Sequence, residues 1–223
     1  TRGINTDRID VVRAGVDVDS MQTDISSYEA KKRLGLEGRF VVTYSGTVGN
    51  AHGLDSMLGV SKLLRQDQPD VMILIVGSGA EEETLRSHFV GYQEHNLQLL
   101  GQKPRAELPA ILAGSDIGLA VLKPSPIFRT VVPTKIYEYM ATGLPVLTNV
   151  AGETENIIAE SGAGIAVPNG DDIALAKQIT KLRENPDALK SMSVAGINYA
   201  RESASWVTRA EQYEEVLEKT VRN

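Results

Sequence analysis

"VMILIVGSGAEEETLRSHF", residues 71–89, decides the fold. Its first six residues are apolar without interruption, the pattern of a strand buried on both faces of a parallel sheet. Gly77-Ser78-Gly79 breaks the run, and a helical stretch from Ala80 to Phe89 follows. A strand, a glycine turn and a helix make one βα unit. Such units in succession build a doubly wound sheet.

The same unit recurs on both sides. Upstream, "RFVVTYSGT" ends at Gly46 and leads to Leu54, Met57, Leu58 and Leu64 at helical spacing. Downstream, "LQLLG" leads to "PRAELPAILAGS", "DIGLAVL" to "KIYEYMATG", "PVLTNV" to "ETENIIAES", and "AGIAV" to "DDIALAKQITKLREN". Six alternations predict a Rossmann-like, doubly wound parallel α/β sheet. At the start, "IDVVRAGVD" predicts a short opening strand, and "SSYEAKKRLGL" a helix begun by a Ser26–Glu29 capping box and stopped at Gly35. Two helical stretches, 186–203 and 205–221, close the chain. Its 223 residues suit a single domain spanning 1–223.

Composition narrows the function. A net charge of -6 is wrong for a general nucleic-acid binder, since phosphate backbones are held by clustered Lys and Arg. No cysteine is present, which rules out disulfides and thiolate metal sites and fits a reducing, cytoplasmic setting. No apolar run approaches the ~20 residues of a membrane-spanning helix. His52, His88 and His95 show no ligand spacing with carboxylates on one helix face, so no metal site is expected. The opening Thr1-Arg2-Gly3 has neither an initiator Met nor a signal peptide, and we expect a piece of a longer polypeptide.

In a parallel sheet, ligands gather at the carboxyl ends of the strands. Three loops there qualify: "SGTVGNAHG" (45–53), Gly77–Gly79, and "PIFRTVVPTK" (126–135). In the first, Gly46, Gly49 and Gly53 let backbone approach a ligand, and His52 can donate to a phosphate. The plain alternatives are a flexible turn and a solvent-facing histidine. The second loop is no dinucleotide fingerprint, because Glu82 holds the third glycine position and Glu81 to Glu83 would repel a pyrophosphate. A turn whose acids complement the following helix dipole fits better. The third ends the longest stretch without predicted structure, Lys123 to Pro133, and long loops at such ends tend to be functional. Pro133 fixes the entry to a helix, Thr134 can cap it, and Lys135 and Glu138, about one turn apart, can point into one crevice. A cation beside a helix start suits a diphosphate, and a carboxylate suits a pair of ribose hydroxyls. The alternative is a surface ion pair between the two.

Taken in order, "RAGVD", "ILIVGSGAEEETL", "LQLLGQKPRAELPAILAGSDIGLAVL", "KIYEYMATGLPVL" and "AGETENII" resemble the C-terminal, nucleotide-sugar-binding half of retaining glycosyltransferases of family four, which have the GT-B fold. The resemblance runs essentially end to end. It implies a nucleotide-diphosphate sugar as donor substrate, no cofactor, no metal, and transfer to a glycan or lipid-linked acceptor. It also implies an N-terminal acceptor domain of the same polypeptide, absent here, to which the terminal "SASWVTRAEQYEEVLEKTV" helix would cross back. The fragment alone should then bind donor without transferring it.

Residue by residue, Glu138 matches the second glutamate of the family's E-x7-E motif, which implies a grip on the nucleotide ribose. The first glutamate falls on Thr130, and the family's basic pair falls on Thr47 and His52. The "VPTKIYEYMATG" form resembles the subgroup that includes amino-sugar transferases of bacterial capsule, O-antigen or exopolysaccharide assembly. There Lys135, helped by Arg129, is implied to supply the phosphate charge that Thr47 and His52 do not. Glu138 and Lys135 are thus the expected catalytic residues. Gly46, Thr47, Gly49, His52, Gly77, Gly101, Arg129, Thr130 and Thr134 are the expected substrate-binding ones, and Leu100 to Lys103 the expected base-recognition loop. A lipid-linked acceptor would draw the intact enzyme to the inner face of the membrane. Two other readings stay open: a sugar-nucleotide 2-epimerase on the same fold, and a degenerate nucleotide-binding module, which the residues at Thr130, Thr47 and His52 favour.

Overall fold

In the computed structural model, residues 9–89 and 96–221 are described. Helix α1 (Ser27–Leu34) begins where the capping box places it, with Glu29 N donating to Ser26 Oγ, and ends at Gly35 in the left-handed conformation. Then come β1 (Phe40–Ser45), α2 (Met57–Asp67), β2 (Val71–Val76), α3 (Glu82–Phe89), β3 (Leu97–Gly101), α4 (Leu108–Ala113) and β4 (Ile117–Ala120). The second half continues with α5 (Lys135–Ala141), β5 (Val146–Thr148), α6 (Glu153–Ser161), β6 (Gly164–Ala166), α7 (Asp172–Arg183), α8 (Pro186–Ser203) and α9 (Trp206–Val221).

The six strands form one sheet in the order β3-β2-β1-β4-β5-β6, with every pairing parallel. The chain winds outward from β1 to β3, then returns to the far side of β1 as β4. The crevice between the β1 and β4 loops is therefore the topological switch point, where open α/β sheets bind ligands.

Alternation along β1 sorts the core into two layers. Val42 and Tyr44 face α2 and α7, packing with Met57, Val60, Leu64, Leu175 and Ile179. On the opposite layer, Ile136, Tyr137, Tyr139 and Met140 of α5 pack with Ile157 of α6 and with Ala120 and Val146 of the sheet. The strands are apolar on both sides because both sides are covered.

Three expectations need correction. The opening "IDVVRAGVD" forms no sheet strand: Val16 makes one isolated parallel bridge with Ser205, and its amide donates to the Ala204 carbonyl at 2.8 Å. Instead of joining the sheet, this segment is tied to the α8–α9 junction. The stretch from Lys123 to Pro133 is not structureless, since a 3-10 turn spans Pro126–Thr130. Short 3-10 turns at Asn50–His52 and Leu54–Ser56 also delay the start of α2 to Met57. At the other end of the chain, α9 leaves Trp206, Val207, Tyr213 and Leu217 exposed. Among the described residues, no helix is long and apolar enough to cross a membrane.

Candidate nucleotide-binding site

Parallel pairing continues past the strand ends, binding three loops into one shelf. Gly46 N donates to Val76 O, Val48 N to Ser78 O, and Gly77 N to Gly101 O, each at 2.9 Å. This close approach explains two glycines. Gly46 and Gly77 have φ of +133° and +143°, and a Cβ on Gly77 would stand 1.8 Å from the Gly46 carbonyl oxygen. Above the shelf opens a cleft of 630 Å³ lined by Gly46, Thr47, His52, Gly77, Ser78, Gln102, Lys103, Arg105, Pro133, Thr134, Lys135 and Glu138, among others.

Helix α5 forms the far wall, and Tyr139 pins it there. The Tyr139 hydroxyl accepts from Ser45 N at 2.8 Å and donates to Leu119 O at 3.2 Å, joining α5 to both β1 and β4. Gly118 makes room for the ring, since a Cβ there would lie 2.4 Å from it. With α5 so fixed, Lys135 and Glu138 enter the cleft from its first turn.

The surface ion pair between them does not form. Lys135 is 9% exposed, and its Nζ has no hydrogen-bond partner. It sits 3.5 Å from the centroid of the Tyr44 ring, so the side chain runs from the α5 layer across the switch point to a ring of the other layer. A Cβ on Gly46 would come within 3.0 Å of that nitrogen. Burial pushes the Lys135 pKa down to about 7 against the opposing pull of Glu138. Glu138 instead accepts from Arg105 at 2.9 Å. His52 meets the Tyr44 ring edge-on at 5.9 Å. Burial first, and then the Lys135 charge, lower its pKa, which leaves it neutral at pH 7 and no substitute for a cation.

The expected site residues divide accordingly. Gly46, Thr47, His52, Gly77, Thr134, Lys135 and Glu138 line the cleft. Gly49 instead lines a neighbouring hollow of 80 Å³ with Leu85 and His88, and Gly101 supports the shelf through its carbonyl. Arg129 and Thr130 lie exposed on the 3-10 turn and do not line the cleft, so Arg129 is not placed to help Lys135. Thr134 stands at the N-cap of α5 but makes no side-chain capping bond. The amides of Ile136 and Tyr137 donate to the carbonyls of Pro133 and Thr134, so the positive character of this wall comes from side chains more than from free helix amides. His95 lies outside the described residues.

Two participants were not anticipated. Arg105 follows β3 in "GQKPR", and a basic pair after a parallel strand was the signal available for it. Tyr44 reads as an ordinary strand aromatic, and nothing in the sequence marks it. Gln102 and Lys103, from the expected base-recognition loop, are in the cleft.

A parallel α/β domain with a glycine shelf, a buried cation and a carboxylate at its switch point is of the open-sheet class whose ligand crevice lies at the carboxyl ends of the strands. More narrowly, the chain belongs to the family "Glycosyl transferases group 1", which it matches over residues 26–201. It is 30% identical over 150 residues to "Probable glycosyltransferase WbjE" of Pseudomonas aeruginosa, covering 66% of this chain and 37% of that protein. It is 28% identical over 208 residues to the GDP-mannose-dependent alpha-(1-6)-phosphatidylinositol monomannoside mannosyltransferase of Mycolicibacterium smegmatis, covering 91% and 54%. Among solved structures, Anabaena Alr3699/HepE in complex with UDP-glucose superposes with a TM-score of 0.82 at 20% identity, covering 97% of this chain and 59% of that one. Likeness at that identity shows the fold, a Rossmann-like sheet of the GT-B kind. The chain spans about half the length of the curated relatives it matches.

Proposed function

We propose that this chain is the donor-binding half of a retaining, metal-independent glycosyltransferase that takes its sugar from a nucleoside diphosphate. The observation that carries the reading is the pairing of Lys135 and Glu138, one helical turn apart, on the wall of the switch-point cleft. The diphosphate lies over the glycine shelf against Lys135, with Lys103 and Arg105 adding charge from the opposite wall. The base meets the Gln102–Lys103 backbone. Glu138 exchanges Arg105 for the ribose hydroxyls, which a carboxylate can receive in pairs.

As the bond from sugar to diphosphate breaks, negative charge grows on the leaving phosphate. A cation held in a dry, preformed position stabilises that charge without reorganising. The acceptor is a glycan or lipid-linked sugar held by an N-terminal domain, against which the exposed apolar residues of α9 pack. The intact enzyme works at the inner face of the membrane in bacterial polysaccharide assembly, within the amino-sugar subgroup that the "VPTKIYEYMATG" stretch resembles. The chain alone binds donor and transfers none.

Relatives whose names specify GDP-mannose and a neighbour holding UDP-glucose leave the base to experiment. Calorimetric titration with UDP, GDP, ADP and TDP should find one diphosphate that binds. Glu138→Ala should weaken it by at least tenfold, as expected for loss of hydrogen bonds to a charged acceptor at about 1.5–3 kcal/mol. Failure of all four at millimolar concentration, or equal binding by Glu138→Ala, would defeat the reading.

A further inference from the structure

Tyr44 has no assigned part in ligand binding, yet three features of the cleft meet at its side chain. Its ring lies 3.5 Å under the Lys135 nitrogen. Its hydroxyl donates to the Thr47 carbonyl at 2.7 Å, holding the glycine loop. Its ring also carries the edge of His52. Meanwhile the Lys135 nitrogen, although nine-tenths buried, has no hydrogen-bond partner, and the absent Cβ of Gly46 leaves the space it occupies. A buried ammonium without acceptors is costly unless something else satisfies it. The face of an aromatic ring is what this one has.

We propose that Tyr44 is a positioning residue for the phosphate end of the cleft, holding the Lys135 ammonium beneath the glycine loop in place of cations on the loop itself. The inference rests on the donor-binding reading and adds to it the device by which the cation is kept ready. It accounts for two observations together. The loop can present Thr47 and a neutral His52 because its charge comes from below, and the nitrogen approaches to 3.0 Å of the space beside Gly46, whose φ of +133° already favours glycine. The other titratable and charged groups facing Lys135 are His52 from the β1 loop, Glu138 and Tyr139 on its own helix, and Lys103 and Arg105 across the cleft. Of these Glu138 attracts Lys135 but is hydrogen-bonded to Arg105, so a bound phosphate would supply the acceptor that the Lys135 nitrogen lacks.

A consequence is proton uptake. Burial holds the Lys135 pKa near 7, and a phosphate placed against it raises that pKa, so binding above pH 7 draws a proton from solution. The test is calorimetry of the chain with UDP and GDP from pH 6.5 to 9, in buffers of differing ionisation enthalpy, for the wild type, Tyr44→Phe, Tyr44→Leu, Lys135→Met and Tyr44→Leu/Lys135→Met. The wild type should take up a proton and bind about tenfold more weakly per pH unit above its midpoint. Tyr44→Phe, which keeps the ring, should lose a few-fold in affinity. Tyr44→Leu should lose at least tenfold at pH 7.5 and move the midpoint to lower pH. Without Lys135 the pH dependence should flatten, and the further change to Leu at position 44 should cost nothing more.

Equal losses from Tyr44→Leu with and without Lys135 would show a merely structural residue and overturn the inference. So would pH-independent binding by the wild type, although the donor-binding reading would survive. Failure of UDP, GDP, ADP and TDP alike to bind would overturn both.

Discussion

Replacing Lys135 with Met should make the protein more stable and bind its ligand less well. Folding moves this amine from an ordinary pKa of 10.5 to about 7, chiefly by burial. Because the folded value is the lower one, the unfolded chain holds more protons between pH 7 and 10.5, and stability rises with pH across that window. Below pH 7 the cost is fully present. At 1.36 kcal/mol per pH unit between the two values, it amounts to about 4–5 kcal/mol. Met keeps the length and apolar stem of the side chain and carries no charge to desolvate, and the attraction of the ammonium to the Tyr44 ring is already contained in the net shift. A gain of about 4 kcal/mol at pH 7 should follow, equivalent to a rise in Tm of roughly 8–16 °C for a domain of this size. Chemical denaturation of both proteins at pH 7, 8.5 and 10 is the assay. The advantage of Lys135→Met should shrink steadily as the pH rises. A variant less stable than the wild type at pH 7, or an advantage unchanged at pH 10, would refute the reasoning.

Other substitutions test how the cleft is built. Tyr139→Phe removes the acceptor of Ser45 N in a fully buried position, and should cost about 1–3 kcal/mol in denaturant unfolding. Gly77→Ala sets a Cβ against the Gly46 carbonyl at a backbone conformation that side chains rarely adopt, and should destabilise by about 3 kcal/mol or more, read as a lower denaturation midpoint. Arg105→Ala should change stability by less than about 0.5 kcal/mol, because its guanidinium is largely exposed and such pairs contribute little.

The fold was legible because each βα unit carries its own punctuation. The unbroken run at 71–76, the Ser26–Glu29 box and the glycine at 35 each name a local structure that nothing distant overrides. "IDVVRAGVD" misled because a few alternating apolar residues fit a strand equally well where no sheet edge receives them. In the site, Lys135 and Glu138 were readable from their spacing on one helix. Their partners were not: Arg105 reaches Glu138 from 33 residues away, and Tyr44 meets Lys135 only because β1 and β4 are neighbours in the sheet. Gly49 was placed in the site by loop membership, and Arg129 and Thr130 by the family resemblance, and neither says which way a turn faces.

Amide NMR most directly tests the central claim that the switch-point cleft receives a nucleoside diphosphate. Adding UDP or GDP to the labelled protein should move the signals of residues 45–48, 77–78, 101–105 and 134–138 together, with one dissociation constant, and Glu138→Ala should weaken the response. No response to UDP, GDP, ADP or TDP, or shifts confined to α9 or the 3-10 turn at Pro126–Thr130, would contradict it.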